Sequence, residues 1–279
     1  MRKTGFWITT EQKIDINTFD QITFGGCEQE TFHLARALMP LYRADAGKLD
    51  NAWPISIFGN VKEPGAITDT GLFFNYDQLP NVLERVGLDV LVVVRAHNEV
   101  LNPRYNHRYF SKHKPKIVLW SGDAADQNNC ETLQDRLTLK QIDSIVLKSE
   151  WQKQNWQDNF TWLKDKPITI IPKGFTIADL ARERSTCLAP RFIYASTVFR
   201  GLELFLDIWP RIKQAIPDAT LDCYPKTTLY VSDNHNEVGY RALYQALEKL
   251  PVLKIHDPLP QREFFKILPN YYAMLYPNY

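Results

Sequence analysis

Residues 192–224 confine this chain to a narrow set of folds. A short apolar run, Phe192-Ile193-Tyr194-Ala195, predicts a buried strand. Ser196-Thr197 makes a small polar turn. Arg200-Gly201 then precedes an amphipathic helix with Leu202, Phe205, Leu206 and Trp209 at helical spacing. Pro210 interrupts or restarts that helix, Pro217-Asp218 ends it, and residues 219–224 read as the next strand. Such a strand, loop, helix and strand succession belongs to α/β architectures. The helix begins beside a cation and a glycine. Backbone N–H groups and the helix dipole favour an anion at that end, Arg200 adds a full charge, and Gly201 allows close approach to the backbone. The chemistry suits a phosphate or diphosphate; the plainer alternative is an exposed arginine beside a loop glycine.

The same alternation runs along the rest of the chain. Strands are expected at residues 5–9, 54–58, 90–94, 117–120, 144–147 and 168–171. Helices are expected at 29–41, 79–86 and 132–141, with a further helix starting at Glu150-Trp151 and capped by Ser149. The charged and polar stretch 179–190, closed by Pro190, is the best candidate for an interdomain linker. Beyond it the strand pattern restarts, around Phe192, Leu221, Leu253 and Met274. Strands separated by helices imply parallel sheets, and ligands of such sheets sit at the carboxyl ends of the strands. The expected fold class is α/β with two Rossmann-like domains, residues 1–186 and 187–279, facing across a cleft.

Composition excludes several functions. The chain has 279 residues, is 44% hydrophobic and carries a formal net charge of +1, so no global field draws it to nucleic acid. The basic and aromatic stretch 104–116 reads better as a charged face with its aromatics packed inward than as a nucleic-acid surface. Cys27, Cys130, Cys187 and Cys223 form no CxxC pair, which fits a reducing cytoplasm. His107 and His113 lack an acidic partner at metal-ligand spacing, so no metal site is expected. No apolar run is long enough to span a bilayer; peripheral membrane contact is compatible with these features.

Several loops at strand ends carry polar groups. Gly25-Gly26-Cys27-Glu28 precedes the first strong helix and offers a tight turn with open N–H groups. Ser121-Gly122-Asp123 follows the strand ending at Trp120. His97-Asn98-Glu99 follows the valine-rich run 90–94, and Lys173-Gly174 closes the strand 168–171. Each has a structural reading too: Asp123 as a turn cap, Glu28 as a first-turn carboxylate, 97–99 as an exposed loop.

The segment from Arg191 resembles the donor-binding half of glycosyltransferase family 4, the retaining GT-B enzymes, in which a Lys-Gly or Arg-Gly pair opens the helix after the first strand. Arg200 and Gly201 match that pair, and Gly25, Gly26 and Glu28 match the family's Gly-Gly-x-Glu loop. Trp120 and Asp123 match its Trp-x-His-Asp segment, but Gly122 stands where the histidine would be. A second arginine usual after the first strand of the donor half is replaced by Ala195 and Ser196. The resemblance implies transfer of a sugar from a nucleotide-diphosphate-sugar to a glycan, lipid or small-molecule acceptor, with retention and without a cofactor or a bound metal. Arg200, Gly201, Ser196, Thr197, Gly25 and Gly26 would hold the donor. Asp123 would be the catalytic carboxylate, and His97 and Glu99 would face the acceptor. The chain ends at the strand that precedes the family's pair of glutamates. A second domain incomplete in this chain, a longer parent protein and weak or no catalysis are therefore expected. The rival expectation is a catalytically inactive GT-B-like binding module. A nicotinamide enzyme is disfavoured, since no G-x-G-x-x-G follows a strand.

Overall fold

The structure is a computed structural model that describes residues 3–10, 12–16, 25–44, 54–95, 99–110, 114–174, 189–225 and 236–277. These residues divide into two compact units, one drawn from residues 3–16 and 25–174, the other from 189–277. The expected domain boundary at 186, and the expected linker up to residue 188, lie outside the described residues.

The first unit is built on seven strands: β1 (Thr4–Ile8), β2 (Ile55–Gly59), β3 (Leu72–Asn75), β4 (Val90–Val94), β5 (Lys116–Trp120), β6 (Ser144–Leu147) and β7 (Ile168–Ile170). They lie in the order β3-β2-β1-β4-β5-β6-β7, and every pairing is parallel. All five residues of β1 and of β2 are buried, which a parallel sheet covered on both faces requires. Phe6, Ile8, Ile55, Ile57 and Phe58 are almost fully enclosed, and each such burial contributes roughly 1.5–3 kcal/mol. The connecting helices are α1 (Gly26–Ala44), α2 (Leu79–Arg85), α3 (Arg136–Lys140) and α4 (Glu150–Asn159). Ser149 caps α4 as expected, its Oγ accepting from Gln152 N at 3.1 Å.

The continuous helix expected over 132–141 is broken. A 3-10 stretch, Asn128–Gln134, precedes Asp135, whose backbone is extended. The Asp135 carboxylate accepts from Leu137 N at 2.9 Å and Thr138 Oγ1 at 3.2 Å, so it starts a new helix instead of continuing the old one. Edge strand β3, a four-residue run behind Gly71, was not foreseen from the sequence. In this sheet β1 leads outward through β2 to β3, and the chain then returns to β4 on the other side of β1. The strand order therefore reverses between β1 and β4, where a crevice opens at the carboxyl ends.

The second unit holds β8 (Arg191–Tyr194), β9 (Thr220–Cys223), β10 (Leu253–Ile255) and β11 (Ala273–Met274), parallel and in the order β10-β9-β8-β11. Its helices are α5 (Phe205–Ala215), α6 (Asn236–Leu247) and α7 (Gln261–Ile267), the last two not assigned from sequence. Phe205 and Trp209, one helical turn apart on α5, pack with Phe192, Tyr194 and Leu221. The Trp209 indole donates to Pro251 O at 2.8 Å, which satisfies its buried N–H. On the other side of β9, the Asp222 carboxylate accepts from Arg191 Nη2 at 3.2 Å and Tyr271 Oη at 3.0 Å, and lies 2.7 Å from His256 Nε2. Here the strand order reverses between β8 and β11. Among the described residues no helix is long and apolar enough to cross a membrane.

Candidate functional site

In the second unit the loop after β8 carries Ser196, Thr197, Arg200 and Gly201. Gly201 has φ 81°, in the left-handed region, and starts the 3-10 turn Leu202–Leu204 that runs into α5. A Cβ at this position would lie 2.0 Å from the Pro277 carbonyl oxygen. Glycine is therefore demanded twice, by the backbone angle and by the close approach of the chain that leaves β11. The two loops that meet here follow the two strands flanking the switch point. Tyr194, at the end of β8, holds the loop's shape. Its buried phenol donates to Thr197 O at 2.8 Å and to Arg200 O at 3.2 Å, while Arg200 N donates back to Thr197 O at 3.0 Å. Burial, despite a hydrogen bond with the Ser196 side chain, pushes the Tyr194 phenol well above its usual pKa and keeps it a donor. Thr197 is buried and its Oγ1 finds no partner among the described residues. Arg200 is exposed at the loop's end. Sequence reasoning missed the part played by Tyr194; a phenol inside an otherwise apolar strand was its only signal.

In the first unit Asp123 follows β5 and is buried. Its carboxylate is engaged on both oxygens. Oδ2 lies 3.3 Å from Arg95 Nε and accepts from Asn129 Nδ2 at 3.1 Å, while Oδ1 accepts from Arg95 Nη2 at 3.4 Å. The Asp123 carbonyl accepts from Gln152 Nε2 at 2.8 Å and from the Trp156 indole at 2.9 Å, so α4 anchors the loop. Arg95, the first residue past β4, was not singled out from sequence. It holds φ 74°, unusual for a side-chain-bearing residue, and its N–H donates to Trp120 O at 2.9 Å. Such a conformation costs roughly 1–2 kcal/mol, and it aims a guanidinium at the carboxyl edge of the sheet.

The N-terminus of α1 adjoins this pair. Gly25 O accepts from Gln29 N at 3.1 Å, and the Glu28 side chain folds back over Gly25. A Cβ on Gly26 would sit 3.9 Å from Lys173 Nζ, an ordinary contact, so that cation stands beside the first turn of α1. The Cys27 thiol is raised by burial; Arg95 and Lys173 work against that shift, and Asp123 and Glu28 add to it. Asp123, Arg95, Lys173 and the Gly25-Gly26 turn thus form one electrostatic neighbourhood. Next to it, Lys148 pairs with Glu30 and lies 4.0 Å from the Trp120 ring centroid, with its pKa lowered by desolvation in spite of Glu30. Glu99 lies elsewhere on the same edge and accepts from Tyr109 Oη at 3.1 Å. His97 is outside the described residues. Among the described residues no group of three His, Cys, Asp or Glu side chains is placed to hold a metal ion.

The sequence matches no protein-family model and no curated protein. Solved structures do match. Sucrose-phosphate synthase from Thermosynechococcus elongatus superposes with a TM-score of 0.64 at 13% identity, covering 100% of this chain and 76% of that one. Anabaena HepE, solved with UDP and glucose, gives 0.62 at 12% identity, over 100% of this chain and 74% of that one. The lipopolysaccharide outer core galactosyltransferase WaaB gives 0.56 at 11% identity, over 99% and 74%. At such identities the likeness shows the fold, and that fold is the Rossmann-like α/β GT-B class.

Proposed function

We propose that this chain is a glycosyltransferase that moves a sugar from a nucleotide-diphosphate-sugar to an acceptor, a glycan or lipid headgroup among them, with retention in the manner of family 4. The observation that carries the reading is the Arg200-Gly201 corner at the switch point of the second sheet. There a forced left-handed glycine, a helix start and an exposed guanidinium converge. As the sugar's anomeric bond to the diphosphate breaks, negative charge develops on the departing phosphate oxygens. Arg200 and the Gly201 N–H at the start of the helical turn are suited to stabilise that charge, with the hydroxyls of Ser196 and Thr197 in the same loop. Gly25, Gly26 and Lys173 would offer a second set of donors in the first unit. Asp123 serves as the positioning carboxylate that orients Arg95, and Glu99 is the acceptor-side carboxylate. Sucrose-phosphate synthase, the UDP and glucose complex of HepE and the galactosyltransferase WaaB support the reading as proteins of the same fold.

A second reading, an inactive module that binds nucleotide-sugar, is favoured by Gly122 and by the Asp123 carboxylate, both of whose oxygens are already engaged. Calorimetric titration with UDP, GDP and their glucose and mannose conjugates, repeated on Arg200→Ala, tests the shared donor site. Loss of a charge-assisted contact weakens binding by about 1–3 kcal/mol. Unchanged affinity in Arg200→Ala would remove the site from this loop. Release of free nucleotide in the presence of acceptor then separates the transferase from the inactive module.

A further inference from the structure

The second sheet carries a polar cluster on the face turned away from α5 and α6. Phe192, Tyr194, Leu221 and Cys223 pack against those helices. Side chains alternate along a strand, so Asp222 and Tyr224 fall on the opposite face. His256 joins them, because Ile255 stands opposite Cys223 and His256 N donates to Cys223 O at 2.8 Å. Its Nε2 lies 2.7 Å from Asp222 Oδ1, and its ring stacks on Tyr224 with centroids 4.8 Å apart and planes 16° from parallel. Tyr271, from the turn before β11, donates to Asp222 Oδ2 at 3.0 Å, and the Tyr224 hydroxyl adjoins it. Arg191 closes one side, with Nη2 3.2 Å from Asp222 Oδ2 and its guanidinium carbon 5.0 Å from the Tyr271 ring centroid. Asp222 and Tyr271 are buried, whereas 36% of the His256 side chain is exposed and Arg191 lies at the surface. The floor is enclosed and the mouth opens to solvent.

We propose that Asp222, His256, Tyr224 and Tyr271 form a binding site for a trivalent transition ion, ferric iron, on the outer face of the second sheet. Only two of these four donors belong to the His, Cys, Asp and Glu set; the phenols supply the rest. Arg191 by itself would balance Asp222, so the imidazole and two phenols exceed what an ion pair needs. The spacing suits coordination. Two donors bonded at about 2.0–2.2 Å and at right angles about one ion lie about 2.8–3.1 Å apart, close to the 2.7 and 3.0 Å found here. His256 and Tyr271 address different oxygens of Asp222, which suits a carboxylate bound through both. Five donor atoms then leave one position of an octahedron for water or a small anion, beside Arg191. The donor set selects the ion. Carboxylate, phenol and imidazole without sulfur exclude soft ions such as Cu(I); Cys223 points to the other face. Two phenolates and one carboxylate carry three negative charges, which a trivalent ion neutralises and a divalent ion does not. Tyr271 donates a hydrogen bond in the structure, so binding must release its proton, as the ligation of any protonated donor does. The ligands come from segments beside β9, β10 and β11, so a bound ion would tie the second sheet together and raise its stability. Neither the Arg200-Gly201 corner nor the transferase reading enters into this site.

The whole chain, freed of metal, is titrated with ferric nitrilotriacetate, and with gallium(III), zinc(II) and magnesium(II) for comparison. Ferric phenolates absorb visible light by charge transfer from ligand to metal, which reports coordination directly. One ferric ion per chain is expected, with a visible band, release of the phenol protons and a higher melting temperature; gallium should raise the melting temperature without the band. Tyr271→Phe keeps the ring under the Arg191 guanidinium, and it and Tyr224→Phe should each lower the band by about half, while His256→Gln should weaken binding at least about tenfold and leave the band's position nearly unchanged. Circular dichroism verifies that each variant is folded. A folded native chain that gives no band overturns the proposal, as does a band of equal strength in both tyrosine variants, which would place the iron on other tyrosines. Zinc bound in preference to ferric iron overturns the assignment to a trivalent ion.

Discussion

Replacing Gly201 by alanine probes the corner on which the proposed donor site depends, and its cost follows from two separable effects. The first is the backbone. At φ 81° an L-residue pays about 1–2 kcal/mol that glycine does not. The second is contact. The new methyl carbon would lie 2.0 Å from Pro277 O, and ordinary contact begins at 3.4 Å, so the chain after β11 must retreat by about 1.4 Å. That retreat pulls on the β8–β11 ladder, which rests on Tyr272 N to Arg191 O at 2.7 Å and Leu275 N to Ile193 O at 2.8 Å. At about 1 kcal/mol for each bond lost, the whole effect comes to about 3–4 kcal/mol, a large part of what a unit of this size has in hand. Gly87→Ala is the internal reference: φ is 68° there, but nothing lies within 4 Å of the added carbon, so only the first effect applies. Native-state hydrogen exchange resolves the two units separately. The Leu275 amide in Gly201→Ala is expected to lose about 3–4 kcal/mol of protection, and amides next to Gly87 in Gly87→Ala about 1–2 kcal/mol. If Gly201→Ala costs no more than Gly87→Ala, the β11 chain does not press on the Arg200 loop and the corner is not preformed.

Arg95→Ala leaves the enclosed Asp123 carboxylate without its cation and is expected to destabilise the first unit by about 3 kcal/mol; urea unfolding reads this, and an unchanged midpoint would mean the pair is solvated. Burial pushes the thiols of Cys130 and Cys223 up to about 12, so both are expected to resist iodoacetamide at neutral pH until the chain unfolds, as mass spectrometry can follow; rapid labelling of native Cys223 would contradict its place in the core. Burial acts to raise the Asp222 carboxyl, but hydrogen bonds from His256, Tyr271 and Arg191 outweigh it and hold the pKa below its ordinary value. Its stabilising contribution is therefore full above about pH 4 and lost as acid titrates through the depressed value, so Asp222→Asn should flatten the acid-unfolding curve of the second unit, and an unaltered curve would refute the coupling.

What the sequence made legible was whatever one strand or one helix decides by itself. The valine run of β4 and the Phe205 and Trp209 spacing of α5 signal their elements through local pattern. Gly201 was legible as the turn before a helix; its left-handed angle and the approach of Pro277 are what the structure adds. Pairing across the sheet was not legible. Arg95 meets Asp123 only because β4 and β5 are neighbours in register, with Val94 opposite Trp120, and no local signal encodes that. The meeting of His256 and Tyr271 at Asp222 arises in the same way, from segments beside different strands. The break at Asp135 had a visible cause, since aspartate two residues before an N–H it can accept is a cap, but the apolar spacing over 132–141 outvoted it. The glycine pair 25–26 is the reverse case. The motif was plain, yet neither residue needs a left-handed backbone; what the structure adds is the Glu28 side chain folded over Gly25 and Lys173 beside Gly26.

Gly122 is the position on which the two functional readings divide. It stands where the family resembled by this chain has histidine, and its surroundings decide whether that loss can be reversed. A Cβ at 122 would lie 3.7 Å from Cε and Cγ of Lys148, in ordinary contact, and the backbone there is not left-handed. A side chain can therefore enter without moving the Asp123 loop, which Gln152 and Trp156 hold from below. An imidazole at this point would adjoin the Lys148–Glu30 pair and follow directly on the Asp123 loop, within reach of groups that can orient it. Gly122→His is thus expected to fold as the native chain does and to bind UDP-sugars with the same affinity. If the native chain is an inactive module that lost this group, turnover of donor should appear or rise in Gly122→His. If the chain is an enzyme that works through its cations, turnover should be present in the native protein and should not increase. Activity that requires the histidine would assign Asp123 and Arg95 to scaffolding; activity indifferent to it would assign the chemistry to Arg200 and the charges around the α1 turn.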